Sequence, residues 1–313
     1  MDISRTESAP QSNTLIITAE FTPSYLLYSA SNLDFYGSYI DSRKKLDYSF
    51  HRNVIKDRQL IQDEIIHGLF TKIKPNPDFA SSPDFASSPD FVSNPDFVSN
   101  PDFASNPTPI PWLILLAGPF GVGKGYITNW LIANNKVPEH IQQAFICDPD
   151  EIKSLLPESH LNTHKESCTI SEIAQYEALK NSHSVIIQGT LINYEWYKLF
   201  INNIRIMYPP NKLRIAIIQC TACPQIINER IKLRANKTGR SVPPRIIEST
   251  KKVGISVEKL APLVDFTVCL NNDIGNCMGN SMGNSMGNSM GNGIPTISQP
   301  ENMSWLEFYN RFT

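Results

Sequence analysis

Lys124 stands in the stretch GPFGVGKG, residues 118–125, directly after the apolar run WLILLA at 112–117. Gly118, Gly121 and Gly123 allow the backbone to curl until several N–H groups face one point. A helix opening at the lysine adds the partial positive charge of its N-terminus, and the lysine adds a full one. A GxxxxGK pattern between a strand and a helix is therefore a cradle for a chain of phosphates. The expected nucleotide-binding segment comprises Gly118, Pro119, Phe120, Gly121, Val122, Gly123, Lys124, Gly125 and Tyr126, with ATP as its ligand. The residue after the lysine is glycine, whereas a serine or threonine hydroxyl commonly meets Mg2+ at that position. The metal must then be held by waters and a carboxylate from elsewhere, or by Thr128 if the helix start allows it.

Those carboxylates are offered by FICDPDEIKSLLP, residues 145–157. Asp148 closes a strand-like run and Asp150 follows two residues later at a helix start. In a doubly wound sheet, ligands bind outside the carboxyl ends of the strands, so both acids would face the phosphates. One can orient Mg2+ or its waters, and the other can accept the proton of an attacking hydroxyl. The competing assignment is that one of them caps the helix that follows. Further along, NERIKLRANKTGRSVPPR at 228–245 supplies guanidinium groups, which pair with phosphoryl oxygens. Residues 201–252 carry eleven Lys and Arg against two Asp and Glu, a local surplus suited to an anionic ligand. His160, His164 and His183 lack metal-ligand spacing.

Elements able to position these groups follow the linker. Short apolar runs without alternation lie at 112–117, 144–147, 184–188, 214–220 and 265–270, with helical stretches between them. That pattern predicts a parallel sheet covered on both faces. The expected fold is α/β, a three-layer doubly wound parallel sheet of P-loop NTPase/kinase type, with an N-terminal helical extension. The extension spans 1–75, where apolar residues from Leu46 to Leu69 recur at helical intervals. The polar face of DRQLIQDEII, residues 57–66, is expected to be solvated. Residues 76–107 form a linker containing five hexapeptides of the type PDF(A/V)S(S/N), whose regular prolines exclude a long helix or a central strand. The kinase-like domain is expected over 108–272, an Asn/Gly/Met-rich repeat loop over 273–293 and a C-terminal segment over 294–313. In that last segment SWLEFYNRF reads as a short amphipathic helix docked on the core.

The bulk numbers narrow the function classes. A net charge of −2 and a charged fraction of 19% do not suit a general nucleic-acid or membrane-surface binder. The opening residues MDISRTESAPQSN lack the apolar stretch of a secretory signal, and no apolar run is long enough to span a bilayer. The six cysteines, including CTAC at 220–223, show no second pair at zinc spacing and are expected to be reduced. A cytoplasmic protein is the resulting expectation, with no nucleic acid or membrane as partner and no protein partner identified.

The motifs GPFGVGKG, DPDEIK, IIQGTL at 186–191 and TGRSVP at 238–243 occur in the order and approximate spacing of the zeta-toxin-like P-loop kinases, which this chain resembles over about residues 110–272. The resemblance implies ATP-dependent phosphorylation of a hydroxyl. It implies Asp150 as the base and places Thr190 and Gln188 on the substrate side. Arg230 and Arg240 match the positions of the family's phosphate-contacting arginines, with Arg234 and Arg245 as alternatives, in a segment like the mobile lid of nucleotide kinases. The bacterial toxins act on UDP-N-acetylhexosamines and tend to carry Glu at the position of Gln188 and a basic residue at that of Ile192. Those departures bear on the acceptor and not on the phosphoryl transfer. The expected enzyme is a kinase using ATP and Mg2+ on a small hydroxyl-bearing substrate, with Lys124, Asp150, Arg230 and Arg240 catalytic and Asp148 supporting the metal. Two alternatives remain: a nucleoside or nucleoside-monophosphate kinase, for which Gly125 is familiar, and an ATP-binding regulator without activity.

Overall fold

The computed structural model describes residues 28–71 (30 and 32 apart), 109–157, 163–238, 244–273 and 294–313. The two repeat tracts, Arg240 and His160 lie outside the described residues, as do the expectations placed on them.

All six residues of β1 (Trp112–Ala117) are buried, as an unalternating aliphatic strand requires when both faces of its sheet are covered. Parallel partners are β2 (Phe145–Cys147), β3 (Val185–Gly189), β4 (Arg214–Thr221) and β5 (Phe266–Asn271), and β6 (Thr296–Gln299) closes one edge antiparallel to β5. The order across the sheet is β2-β3-β1-β4-β5-β6. Strand β6 escapes the sequence reading because TISQ is short and mostly exposed, leaving no apolar run to notice.

The helices are α1 (Ile40–Arg43), α2 (Lys56–Phe70), α3 (Lys124–Ala133), α4 (Glu139–Gln142), α5 (Pro149–Leu155), α6 (His164–Lys180), α7 (Tyr194–Met207), α8 (Pro224–Thr238), α9 (Pro244–Ser249), α10 (Val253–Leu260) and α11 (Trp305–Asn310). Alternate residues of β1 feed two cores. Leu113, Leu115 and Ala117 pack with Ile173 and Leu179 of α6, Phe200 and Ile204 of α7, and Val257 of α10. Trp112, Ile114 and Leu116 pack on the opposite face with Ile127 and Leu131 of α3 and with Phe308 and Phe312. Each fully buried aliphatic side chain contributes about 1.5–3 kcal/mol, so the central strands form a rigid base for whatever leaves their ends. At the C-terminus Ser304 closes a capping box with Glu307 at the start of α11. The Phe312 ring lies 4.8 Å from that of Trp112 and 5.7 Å from that of Phe266.

The N-terminal helices lie against α6, and here the polar face expected in solvent is buried instead. Arg58, Gln59, Gln62 and Asp63 of α2 are all buried. The reason is complementary charge on α6: Arg58 donates two hydrogen bonds to the Glu166 carboxylate at 2.7 and 2.9 Å. Gln62 donates to the same carboxylate, His51 meets Glu172 at 2.8 Å, and Ser42 donates to Glu177. Arg43 is tied down by Gln62, Asp63 and the Gln59 carbonyl. Buried charges persist only when paired and hydrogen-bonded in this way.

Candidate active site

Parallel register brings the strand ends to one edge of the sheet: Ala117 lies beside Gly189 and Gln219, Cys147 beside Ile187, and Thr221 beside Asn271. From that edge the 118–123 loop leaves β1 and turns into α3. Gly121 and Gly123 hold φ of +80° and +91°, the left-handed region that favours glycine. A Cβ would also collide, at Gly121 with the Ile227 carbonyl at 2.9 Å and at Gly123 with Asn272 Nδ2 at 2.5 Å. Lys124 folds back across this curl and donates its ammonium to the carbonyls of Gly118 (2.9 Å) and Pro119 (3.3 Å). The N-cap of α3 is Gly123, which has no side chain to bond the amides of the first turn. Burial lowers the Lys124 pKa, and the nearby Cys220, Asp148 and Asp150 oppose that shift.

Two residues brace the loop from behind. Asn272, fully buried just past β5, donates Nδ2 to the Val122 carbonyl at 2.8 Å and its own N–H to Thr221 O at 2.8 Å. Arg230 of α8 donates Nη1 to the same Val122 carbonyl and Nη2 to the Asn272 carbonyl, both at 3.1 Å. Partial burial lowers the Arg230 pKa, with Asp273 opposing. The guanidinium therefore grips loop backbone in this structure. Asn272 carries no motif; its only sequence signal is its place immediately after the last apolar run.

Asp148 is the N-cap of α5, its Oδ1 accepting from the Asp150 N–H at 2.9 Å. It also acts on Lys124, so capping and proximity to the loop coexist in one side chain. Burial raises its pKa, the Asp150 amide and Lys124 opposing the shift. Asp150 lies in the first turn of α5, and Arg234 of α8 reaches its Oδ2 at 4.0 Å. That pair is half exposed, the regime in which an ion pair contributes only about 0–1 kcal/mol. The arginine of α8 that meets the acid is thus Arg234.

At the end of β3, Gln188 Oε1 lies 3.7 Å from where a Gly125 side chain would begin. The Tyr197 hydroxyl packs on Gly189 so closely that a Cβ there would sit 2.7 Å from it. Burial pushes the Tyr197 pKa up, keeping the phenol neutral. Thr190 follows, partly exposed, and Leu191 is fully buried at φ +54°, a backbone state costing a non-glycine residue about 1–2 kcal/mol. Such strain at a strand end often accompanies a functional site. Thr128 does not join the loop: it is buried and donates to the Lys124 carbonyl at 3.1 Å, one helical turn back. Among the described residues no group of three or more His, Cys, Asp or Glu could hold a metal by itself. No described helix is long and apolar enough to cross a membrane.

A doubly wound sheet with a glycine-framed lysine between β1 and α3 defines a P-loop kinase fold. The chain belongs to the zeta toxin family, whose sequence model matches residues 100–274. Membership supports kinase-like phosphotransfer from ATP. No curated protein matches the chain in sequence. Among solved structures it is similar to one from the PezAT chromosomal toxin–antitoxin system of Streptococcus pneumoniae, at 14% identity over 69% of this chain and 75% of that one, with a TM-score of 0.43. A second is the AvrRxo1-ORF1:-ORF2 structure with ATP, at 12% identity, 78% and 71% coverage and a TM-score of 0.47. A third is a gluconokinase from Sinorhizobium meliloti 1021, at 14% identity, 54% and 85% coverage and a TM-score of 0.30.

Proposed function

We propose that this protein transfers the terminal phosphoryl group of ATP to a hydroxyl of a small molecule. The observation that carries the reading is the meeting of three groups at one sheet edge. These are an ammonium folded into a glycine loop, an uncapped helix N-terminus, and two aspartates close enough to act on that ammonium. A triphosphate suits this set, since its anionic oxygens would take up the amides of α3 and the Lys124 ammonium. Magnesium suits it as well. Asp148 offers a carboxylate beside the loop, and among the described residues no group of three or more His, Cys, Asp or Glu would form a cage, so the ion would share its coordination with phosphate oxygens and retained waters. Bound there, the ion would neutralise charge developing on the phosphoryl group.

The chain's own residues then divide the work. Lys124 binds and orients the phosphates. Asp148, held by its cap to the Asp150 amide, would hold the metal or its waters. Asp150 accepts the proton of the acceptor hydroxyl, with Arg234 of α8 beside it. Arg230 keeps the loop in its curled form and Arg240 contacts the transferring group. Gln188 and Thr190 border the acceptor.

The test is phosphorus NMR of the purified protein with magnesium, ATP and a panel of small alcohols, sugars, nucleosides and nucleotide sugars. A phosphomonoester signal growing with ADP supports the reading, and Asp150→Asn should lower that rate by about 10²–10⁴. A nucleoside or nucleoside monophosphate as the sole acceptor would favour the second reading, which Gly125 suggests. ATP uptake with no transfer to any acceptor or to water would leave a nucleotide-binding regulator.

A further inference from the structure

We propose that Gln188 supplies, from the neighbouring strand, the metal-facing oxygen that Gly125 lacks; this rests on the kinase reading of the same site. Gly125 leaves one side of the first turn of α3 open. Among the described residues, leaving aside the chain neighbours and the backbone of its own helix, the heavy atom within 4 Å of a side chain begun there is Gln188 Oε1, at 3.7 Å. A serine hydroxyl at position 125 would stand one bond beyond that Cβ, in the same small region. The carboxamide oxygen is a hard acceptor with two lone pairs, the donor type magnesium accepts.

Its mounting suits the role. Gln188 follows Ile186 and Ile187, both buried, and pairs in register with Leu116 of β1, one residue before the strand's end. The oxygen is thus carried by a central strand beside the one that launches the loop. Gln188 borders the acceptor side, as the family resemblance implies, and its oxygen also lies beside the first turn of α3, where the phosphates would sit.

Calorimetric titration of the full chain with ATP, in magnesium and in EDTA, reads the role directly as the ratio of the two dissociation constants. In Gln188→Ala that ratio should fall by about tenfold, the usual effect of removing a metal-supporting group, while the affinity in EDTA stays unchanged. Gly125→Ser added to Gln188→Ala should restore the ratio by returning a hydroxyl to the turn. Gln188→Glu should bind ATP more weakly in EDTA and recover in magnesium. Circular dichroism checks each fold, and the double variant and Gln188→Glu carry the test if Gln188→Ala fails to fold. An unchanged ratio in Gln188→Ala, or equal losses in magnesium and EDTA, overturns the inference. No magnesium effect in the native chain does so too. Absence of any ATP uptake by the native chain instead removes the kinase reading itself.

Discussion

Replacing Gly123 by alanine tests whether the phosphate loop is held open by the far end of β5. At φ +91° an alanine bears the left-handed penalty of about 1–2 kcal/mol. Its methyl carbon would also fall 2.5 Å from Asn272 Nδ2, so the buried amide must move and lose its 2.8 Å bond to Val122 O. That carbonyl keeps Arg230 as a donor, but a buried Nδ2 left unpaired costs about 1–3 kcal/mol more. The two together give about 2–5 kcal/mol. In an Asn272→Ala background the collision vanishes and only the backbone penalty, about 1–2 kcal/mol, remains. Urea denaturation of the four proteins in this cycle reads both numbers, with constant slope confirming a two-state comparison. Equal cost of Gly123→Ala in the two backgrounds would refute the claim that Asn272 shapes the loop.

Asp148→Asn should keep the helix cap and the native stability while lowering phosphotransfer, and Asp148→Ala should in addition lose about 1 kcal/mol of stability; full activity in Asp148→Asn would reduce that residue to a cap. Arg58→Ala should destabilise the protein by about 3–5 kcal/mol in thermal or urea unfolding, because it takes the cation away from the Glu166 carboxylate at the α2–α6 contact, where the neutral Gln62 still donates but cannot balance the charge; a change below about 1 kcal/mol would mean that the pair behaves as a surface one. Lys124→Met yields a pH signature. Burial lowers the lysine's folded pKa, so its charged form is disfavoured in the fold at neutral pH, and this penalty fades as pH rises through the folded value toward the unfolded 10.5. The native chain should therefore gain stability relative to the methionine variant between neutral pH and about 10, read as the difference in Tm; a flat difference contradicts it.

The fold class was legible because the information sits in uninterrupted aliphatic runs. WLILLA, SVIIQ and RIAIIQC exclude solvent on both faces, and helices must cover them. What the runs could not convey is pairing between distant polar groups. The Arg58 face of α2 reads as solvated until Glu166 of α6 is seen opposite it. At the site, the loop announces itself through glycine spacing, and Asp148 and Asp150 through their place after a strand. Asn272, Tyr197 and the approach of Gln188 to Gly125 depend on how the ends of β3 and β5 and the helix α7 gather around the loop after β1, which local sequence does not encode. Arg230 illustrates the same limit: its helical position was evident, but its two backbone acceptors come from segments 108 and 42 residues away.

The central claim is that the amides of α3 and the Lys124 ammonium receive a triphosphate. Titrating ATP into the native chain and into Lys124→Met, followed by calorimetry, addresses it most directly. Saturable uptake by the native chain, lost or strongly weakened in the variant, is the predicted result. No heat of binding from the native chain at millimolar nucleotide, with or without magnesium, would contradict it.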